Sequence, residues 1–535
     1  MPAELTPAPA RRRGRPQRLP EDPHTVASGQ VGCDQRIAWL LSVNRVLGPD
    51  PDLARRDGFI AALRENGVAV DASRVSRWES GLQPLPSRVV ATYEQVLGLS
   101  SGSLVSVAAG LRRSFGSGPT PRENALSDTE MSDAELNRLI DLTEAGNATG
   151  ADWLRLADHL SRFDRVFLRE QDWTALCHEL VTELGSAVGA GYVRRYEAAA
   201  AFIRHTNARR HLIMAIGRFV THPDAQVVAP VLNLLSEVPD PAAAALTLRM
   251  LAADTDNIYL RRAASSVAAV KLARGHFDDA ALPRLESHVL GALRRGESLD
   301  GRLDSFDLAV RLPASSWQQV TGGLRTRRAH GLVEQARQGD ELVPSARAAS
   351  VVAELAPSIQ AATPTHQAQD PDLMLRRLLR EALLHSHKPR RHHAALLIAA
   401  SPYAPAAARL LLDLAADTND LMAARAWTVL MRLGDGGRRD RVVELAAKEE
   451  RPTIRARALV NAGLGGAMTS EQNRAITAGY DERRSLERHA TLFALGMAGA
   501  PELGELADHP DPETQRAAKW WLTQGPAIHD ADVAR

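Results

Sequence analysis

The chain has 535 residues, of which 44% are hydrophobic and only 4% aromatic, and its formal net charge is +1. That length exceeds what a single hydrophobic core serves, so several domains are expected. The near-neutral balance excludes a polycation, and any nucleic-acid contact must come from a local basic patch.

Ala and Leu dominate the apolar residues, which favours closely packed helices over sheets and predicts an all-α fold. Only 4 of the 65 basic residues are lysines, a bias that a GC-rich genome also produces. Cys33 and Cys177 define neither a disulfide framework nor a zinc spacing. No apolar run reaches the ~18 residues of a membrane span, and the N-terminal arginines lead into no apolar segment of the secretory kind. A cytoplasmic protein with no membrane partner is expected.

Residues 1–30 are rich in Pro and Arg without periodic apolar positions, and read as a disordered basic tail. Within them Arg13-Gly14-Arg15-Pro16 is similar to an AT-hook, which implies that Arg13 and Arg15 could enter a narrow minor groove. Residues 31–111 form the first compact unit. Ile37, Leu40, Leu41 and Leu47 share one helical face, and Gly48-Pro49-Asp50-Pro51 ends that helix. Phe59, Ile60 and Leu63 mark a second helix that stops at Asn66-Gly67. Asp71 or Ser73 caps a third, Pro84 and Pro86 break the chain, and Val89, Val90, Tyr93, Val96 and Leu97 give a fourth. A short final helix starts near residue 100. Residues 112–128 read as a Gly/Ser/Pro linker, residues 129–240 as a helical region, residues 241–525 as helical repeats and residues 526–535 as a tail.

The repeats have a measurable period. Ala394, Ala426, Ala458 and Ala490 are 32 residues apart, with a further copy at Ala517. A basic residue precedes each: His393, Arg425, Arg457, His489 and Arg516. Arg262-Ala263 is an earlier copy of the same pair. Small or apolar residues follow four positions later, at Ile398, Leu430, Ala462, Ala494 and Trp521. An acid precedes most markers by nine residues, as at Asp417, Glu449, Asp481 and Asp508. One helix pair per period, with a small residue where helices meet, is the pattern of an α-solenoid and resembles short HEAT repeats.

Most of the chemical specificity lies in Ser73-Arg74-Val75-Ser76-Arg77-Trp78-Glu79-Ser80-Gly81, followed by Pro84 and Pro86-Ser87. This segment resembles the recognition helix of the Cro/lambda-repressor-type (XRE-type) helix-turn-helix family, whose pattern is Ser-x-Ile-Ser-x-Trp-Glu-x-Gly. The resemblance implies that Val75 and Trp78 face inward, that Glu79 is structural and that Gly81 ends the helix. It also implies that Ala72, Ser73, Arg74 and Arg77 face double-stranded DNA, and that the protein acts as a homodimer. Arg74 and Arg77 are three residues apart and share one helical flank. A guanidinium there can grip guanine or phosphate. Ser87 and Arg88 open the next helix, where a backbone phosphate is expected. The turn from Asn66 to Asp71 is about two residues longer than the family pattern.

No catalytic, metal or cofactor site is expected. In His385-Ser386-His387-Lys388-Pro389-Arg390-Arg391-His392-His393, His393 falls in the slot that holds Arg425 and Arg457, so capping or packing accounts for it better than a metal. Cys177 and His178 are adjacent on a helix and do not face each other. Trp153, Trp173, Tyr192, Tyr196 and Phe202 are expected in the core. The expected function is transcriptional regulation, with the solenoid binding a protein or small-molecule effector on its concave face or dimerising. The architecture resembles large actinobacterial regulators, nucleoid-associated when bound to DNA. The alternative is a protein-interaction scaffold whose helix-turn-helix fold no longer binds DNA.

Overall fold

The computed structural model describes residues 18–26, 30–116, 126, 131–253, 258–294, 299–323, 333–334, 336–337, 341–366 and 370–530. The chain is all-α: 28 α-helices and no strand occur among these residues. None is long and apolar enough to cross a membrane.

The first unit comprises α1 (Cys33–Val46), α2 (Pro51–Ala54), α3 (Arg56–Glu65), α4 (Ala72–Glu79), α5 (Ser87–Val96) and α6 (Ser103–Phe115). Local chemistry sets the boundaries. Asp50 caps α2, with Pro51 at its first position. Asp71 caps α4 by accepting from the Arg74 N–H at 2.7 Å. The buried Glu94 carboxylate accepts from the backbone N–H groups of Gly102, Leu104 and Val105, so α5 directly orders the start of α6. The core of the unit gathers Ile37, Leu40, Phe59, Leu63, Val75, Trp78 and Tyr93.

α6 runs through Arg112 and Arg113 to Phe115, so the expected linker begins as a buried helix end. The Arg113 guanidinium bonds Glu197 and Glu237 of the helical body, and the rest of the 112–128 stretch lies outside the described residues apart from Gly116 and Leu126. The N-terminal unit is therefore docked on the body rather than strung from it. The buried guanidinium of Arg36 bonds Glu381 through Nη1 and Nη2 at 2.7 and 2.9 Å, and Asp22 through Nε at 2.7 Å. Trp39 Nε1 donates to the Asp372 carboxylate at 2.9 Å, and its ring stacks on Tyr403. Asn44 donates to the Ala400 carbonyl. Asp22 falls inside the segment expected to be disordered; the buried carboxylate of that residue answers a charge 14 positions away, a pairing that composition does not reveal.

Past residue 380 the 32-residue period becomes a row of neighbouring helices: Lys388–Ala399, Asp420–Leu433, Pro452–Leu464 and Ser485–Ala498. Outer helices such as Ala404–Ala415, Arg439–Lys448 and Ser470–Thr477 alternate with them. Close contact explains the small residues. A Cβ on Gly463 would lie 2.8 Å from the Ala494 Cα, and one on Gly496 would fall 2.0 Å from the Trp521 ring. Trp521, the bulky exception in the small-residue column, thus fits because Gly496 faces it.

The array closes on itself. The expected tail after residue 525 instead runs back beside the helix Glu170–Ser186: Ile528 N–H donates to the Ser186 carbonyl, and Val188 N–H donates to the Ile528 carbonyl. Asp530 then accepts from Arg194 and Arg195. Tyr259 stacks on His489 with ring centroids 4.1 Å apart, and Phe219 meets Trp520 edge-on. The concave side of the solenoid is consequently walled by both ends of the chain's helical body.

Buried ionisable groups give this fold an acid limit. Burial pushes His385 and His393 down to about 3 and His489 to about 4, with Arg390 adding to the effect on His385 and Arg113 on His393. The neutral state of His385 also fits its geometry, since Nδ1 accepts the His387 N–H. Burial raises the pKa of Glu381, but Arg36, Arg390 and Arg377 more than offset this and hold it at about 2. All four folded-state values lie below the unfolded ones, so the folded chain binds fewer protons. Their stabilisation is complete above pH 6.5 and is lost as pH falls. Burial raises Glu94 to about 7, so its protonation works the other way between about pH 7 and 4.5 and offsets part of the loss there. The urea midpoint is expected to fall most steeply below about pH 4.5, and a midpoint that stays flat down to about pH 3 would contradict this assignment.

Candidate nucleic-acid interface

α4 is held by its inner flank. Val75 and Trp78 are buried, and the buried Glu79 carboxylate receives Arg45 at both oxygens, Nε at 2.6 Å and Nη2 at 2.8 Å. Ser42 Oγ donates to the Glu79 carbonyl. α4 ends at Gly81, whose φ of +69° and 2.8 Å approach of a would-be Cβ to the Gln35 Cα both demand glycine. The Gln35 side-chain amide donates to the Gly81 carbonyl and ties this end to α1.

Ala72, Ser73, Arg74 and Arg77 are all exposed. The Arg74 guanidinium lies 5.2 Å from the Trp78 ring centroid, an arrangement that limits its rotamers without neutralising its charge. Arg74 and Arg77 line one open depression with Arg64, Gln83 and Asp71, the N-cap of α4. Sequence reading did not single out Arg64 or Gln83. The long turn explains Arg64: its Nε donates to the Val70 carbonyl, so the six residues 66–71 fold back and bring the end of α3 beside α4. Val70 is buried and Gly67 has φ +79°, which anchors the turn.

Other expected positions divide. Arg88 is exposed at the start of α5. Ser87 is not: its side chain is buried and its Oγ accepts from Arg112, so α6 uses the hydroxyl assigned to a phosphate. Arg13 and Arg15 lie outside the described residues. In the body, Trp153, Trp173 and Phe202 are core residues as expected, and Tyr192 and Tyr196 are also largely withdrawn from solvent. Cys177 is buried, Cys33 is partly so, and neither is in a disulfide. His393 sits between Ser114 and Phe115 of α6, accepting or donating at Nε2 over 2.8 Å. Among the described residues no group of three or more His, Cys, Asp or Glu is arranged to hold a metal.

A search of protein-family models finds no match to this chain, and a search of curated proteins finds none either.

Proposed function

We propose that the protein is a sequence-specific DNA-binding transcriptional regulator that reads duplex DNA through α4. The observation that carries this reading is the exposed flank of α4 in the full chain: Ala72, Ser73, Arg74 and Arg77 face solvent while Trp78 and Glu79 fix the helix from behind. Short side chains at the helix start permit close approach to base edges, and the two arginines suit guanine or phosphate. Arg88 offers a backbone contact one helix further on, and Arg13 and Arg15 an accessory minor-groove contact.

A single unit of this kind buries roughly 600–1,000 Å² on DNA, so specific affinity calls for a homodimer on half-sites about one helical turn apart. The reading places the protein in the cytoplasm, on the nucleoid when bound, and its arginine bias suits an actinobacterial regulator.

Salt titration of duplex binding tests the proposal. With roughly six or more phosphate contacts, affinity falls about a thousand-fold or more between ~50 and ~200 mM salt. A scaffold that no longer binds DNA gives no duplex binding at any salt in that range.

A further inference from the structure

The basic slot of the repeat has a destination that capping or packing alone does not explain. His393, Arg425, Arg457 and His489 come from four successive inner helices, and Arg262 from the earlier copy; all five line one central cavity of about 630 Å³. That is the size of a small-molecule site. Arg516, in the same slot of the last copy, does not line it and instead bonds Asp224. The period that builds the solenoid therefore also brings a column of basic side chains to the inner side, where ring closure walls the cavity.

Charge and apolar surface are both present. Among the described residues, nine arginines and lysines line the cavity against four carboxylates. Tyr192, Tyr196, Tyr259 and Trp427 supply aromatic wall, with Arg432 over the Tyr192 ring at 5.2 Å and Arg113 over that of Tyr196 at 5.7 Å. Tyr192 and Trp427 are buried in the wall, so the aromatic surface is fixed by packing. Burial and the neighbouring Arg113 keep His393 neutral, and burial together with Arg432 does the same for His392, as a cationic enclosure requires.

We infer that this cavity binds a small anionic molecule, a phosphate or carboxylate group carried on a flat apolar body, with Arg425 and Arg457 gripping the anion and the tyrosines and Trp427 covering the body. Arg425 and Arg457 come from successive helices, Arg457 Nη1 donating to Thr428 Oγ1 at 2.9 Å, and guanidiniums so placed offer charge-assisted hydrogen bonds to an anion. The cavity reaches α6 through Arg113 and Ser114, so the last helix of the N-terminal unit forms part of its wall. The inference goes beyond DNA reading and does not depend on it.

Calorimetric titration of the full chain with 1-naphthyl phosphate, 1-naphthoate, neutral 1-naphthol and inorganic phosphate tests it. At least one naphthyl anion is expected to bind saturably, roughly ten-fold or more tighter than naphthol or inorganic phosphate, and the tighter of the two identifies the head group. Arg425→Gln and Arg457→Gln should each weaken that binding by about ten-fold or more, while Arg516→Gln leaves it unchanged. Should the Arg425 variant fail to fold, Arg432→Gln provides the same reading through the Tyr192 wall. Binding of neither anion, equal binding of naphthol, or an equal loss in Arg516→Gln would overturn the inference.

Discussion

Replacing both Arg74 and Arg77 by alanine should weaken duplex binding by about a hundred-fold or more while leaving the unfolding midpoint where it was. Each well-placed arginine contact to DNA contributes roughly 1–3 kcal/mol, and two on one helical flank therefore dominate what an eight-residue helix can offer. Neither side chain supports the fold: both are exposed, and α4 is held instead by Val75, Trp78 and the Arg45–Glu79 pair. Single variants separate the roles. Loss of a base contact relaxes sequence preference, whereas loss of a phosphate contact weakens all duplexes alike and lowers the salt slope by about one. Titration of labelled duplex at fixed salt, beside a urea melt, checks both halves. A fall in stability matching the fall in affinity would assign these arginines to the fold.

The second large effect is expected 345 positions away from its cause. Glu381→Ala removes the carboxylate shared by Arg36, Arg377 and Arg390 at the junction between the N-terminal unit and the body. A buried ion pair is weak evidence of net stabilisation, because desolvation of both charges opposes their attraction. Removing one partner is a different matter: it leaves the others buried without their counter-charge and costs about 3–5 kcal/mol. Asp22 remains to Arg36, at 2.7 Å, but cannot serve all three guanidiniums. The urea midpoint should drop accordingly, and limited proteolysis should begin to release the N-terminal unit. Glu444→Ala provides the contrast. That carboxylate bridges exposed Arg441 and Lys448, so its loss should leave the midpoint unmoved. Equal effects from the two variants would contradict the docking account.

Local chemistry was legible in the sequence wherever a residue type has one structural use. A cap at Asp71 or Ser73, the stop at Asn66-Gly67, the glycine end of α4 and the inward face of Val75 and Trp78 all follow from short-range rules, and the structure places them there, with Asp71 as the cap. The 32-residue period likewise marked the inner helices, because helix contact demands small residues at regular intervals. Long-range pairings were not legible. Nothing near Arg36 points to Glu381, and nothing near Asp530 points to Arg194 and Arg195. A tail and a linker were therefore expected where the chain closes a ring and extends a helix. Ser87 shows the same limit at the site: its position suited a phosphate, but α6 brings Arg112 to its hydroxyl. The basic slot was visible as a column, yet only ring closure shows that most of it faces a cavity.

The most direct test of the DNA-reading proposal is selection of genomic fragments by the purified full-length chain at about 150 mM salt, with the Arg74→Ala/Arg77→Ala protein alongside. The account predicts enrichment of a short pseudo-palindromic sequence by the wild type and its disappearance in the double variant. Enrichment that survives the double variant would remove α4 from the reading of DNA, and no enrichment by a folded wild-type protein would contradict the proposed function itself.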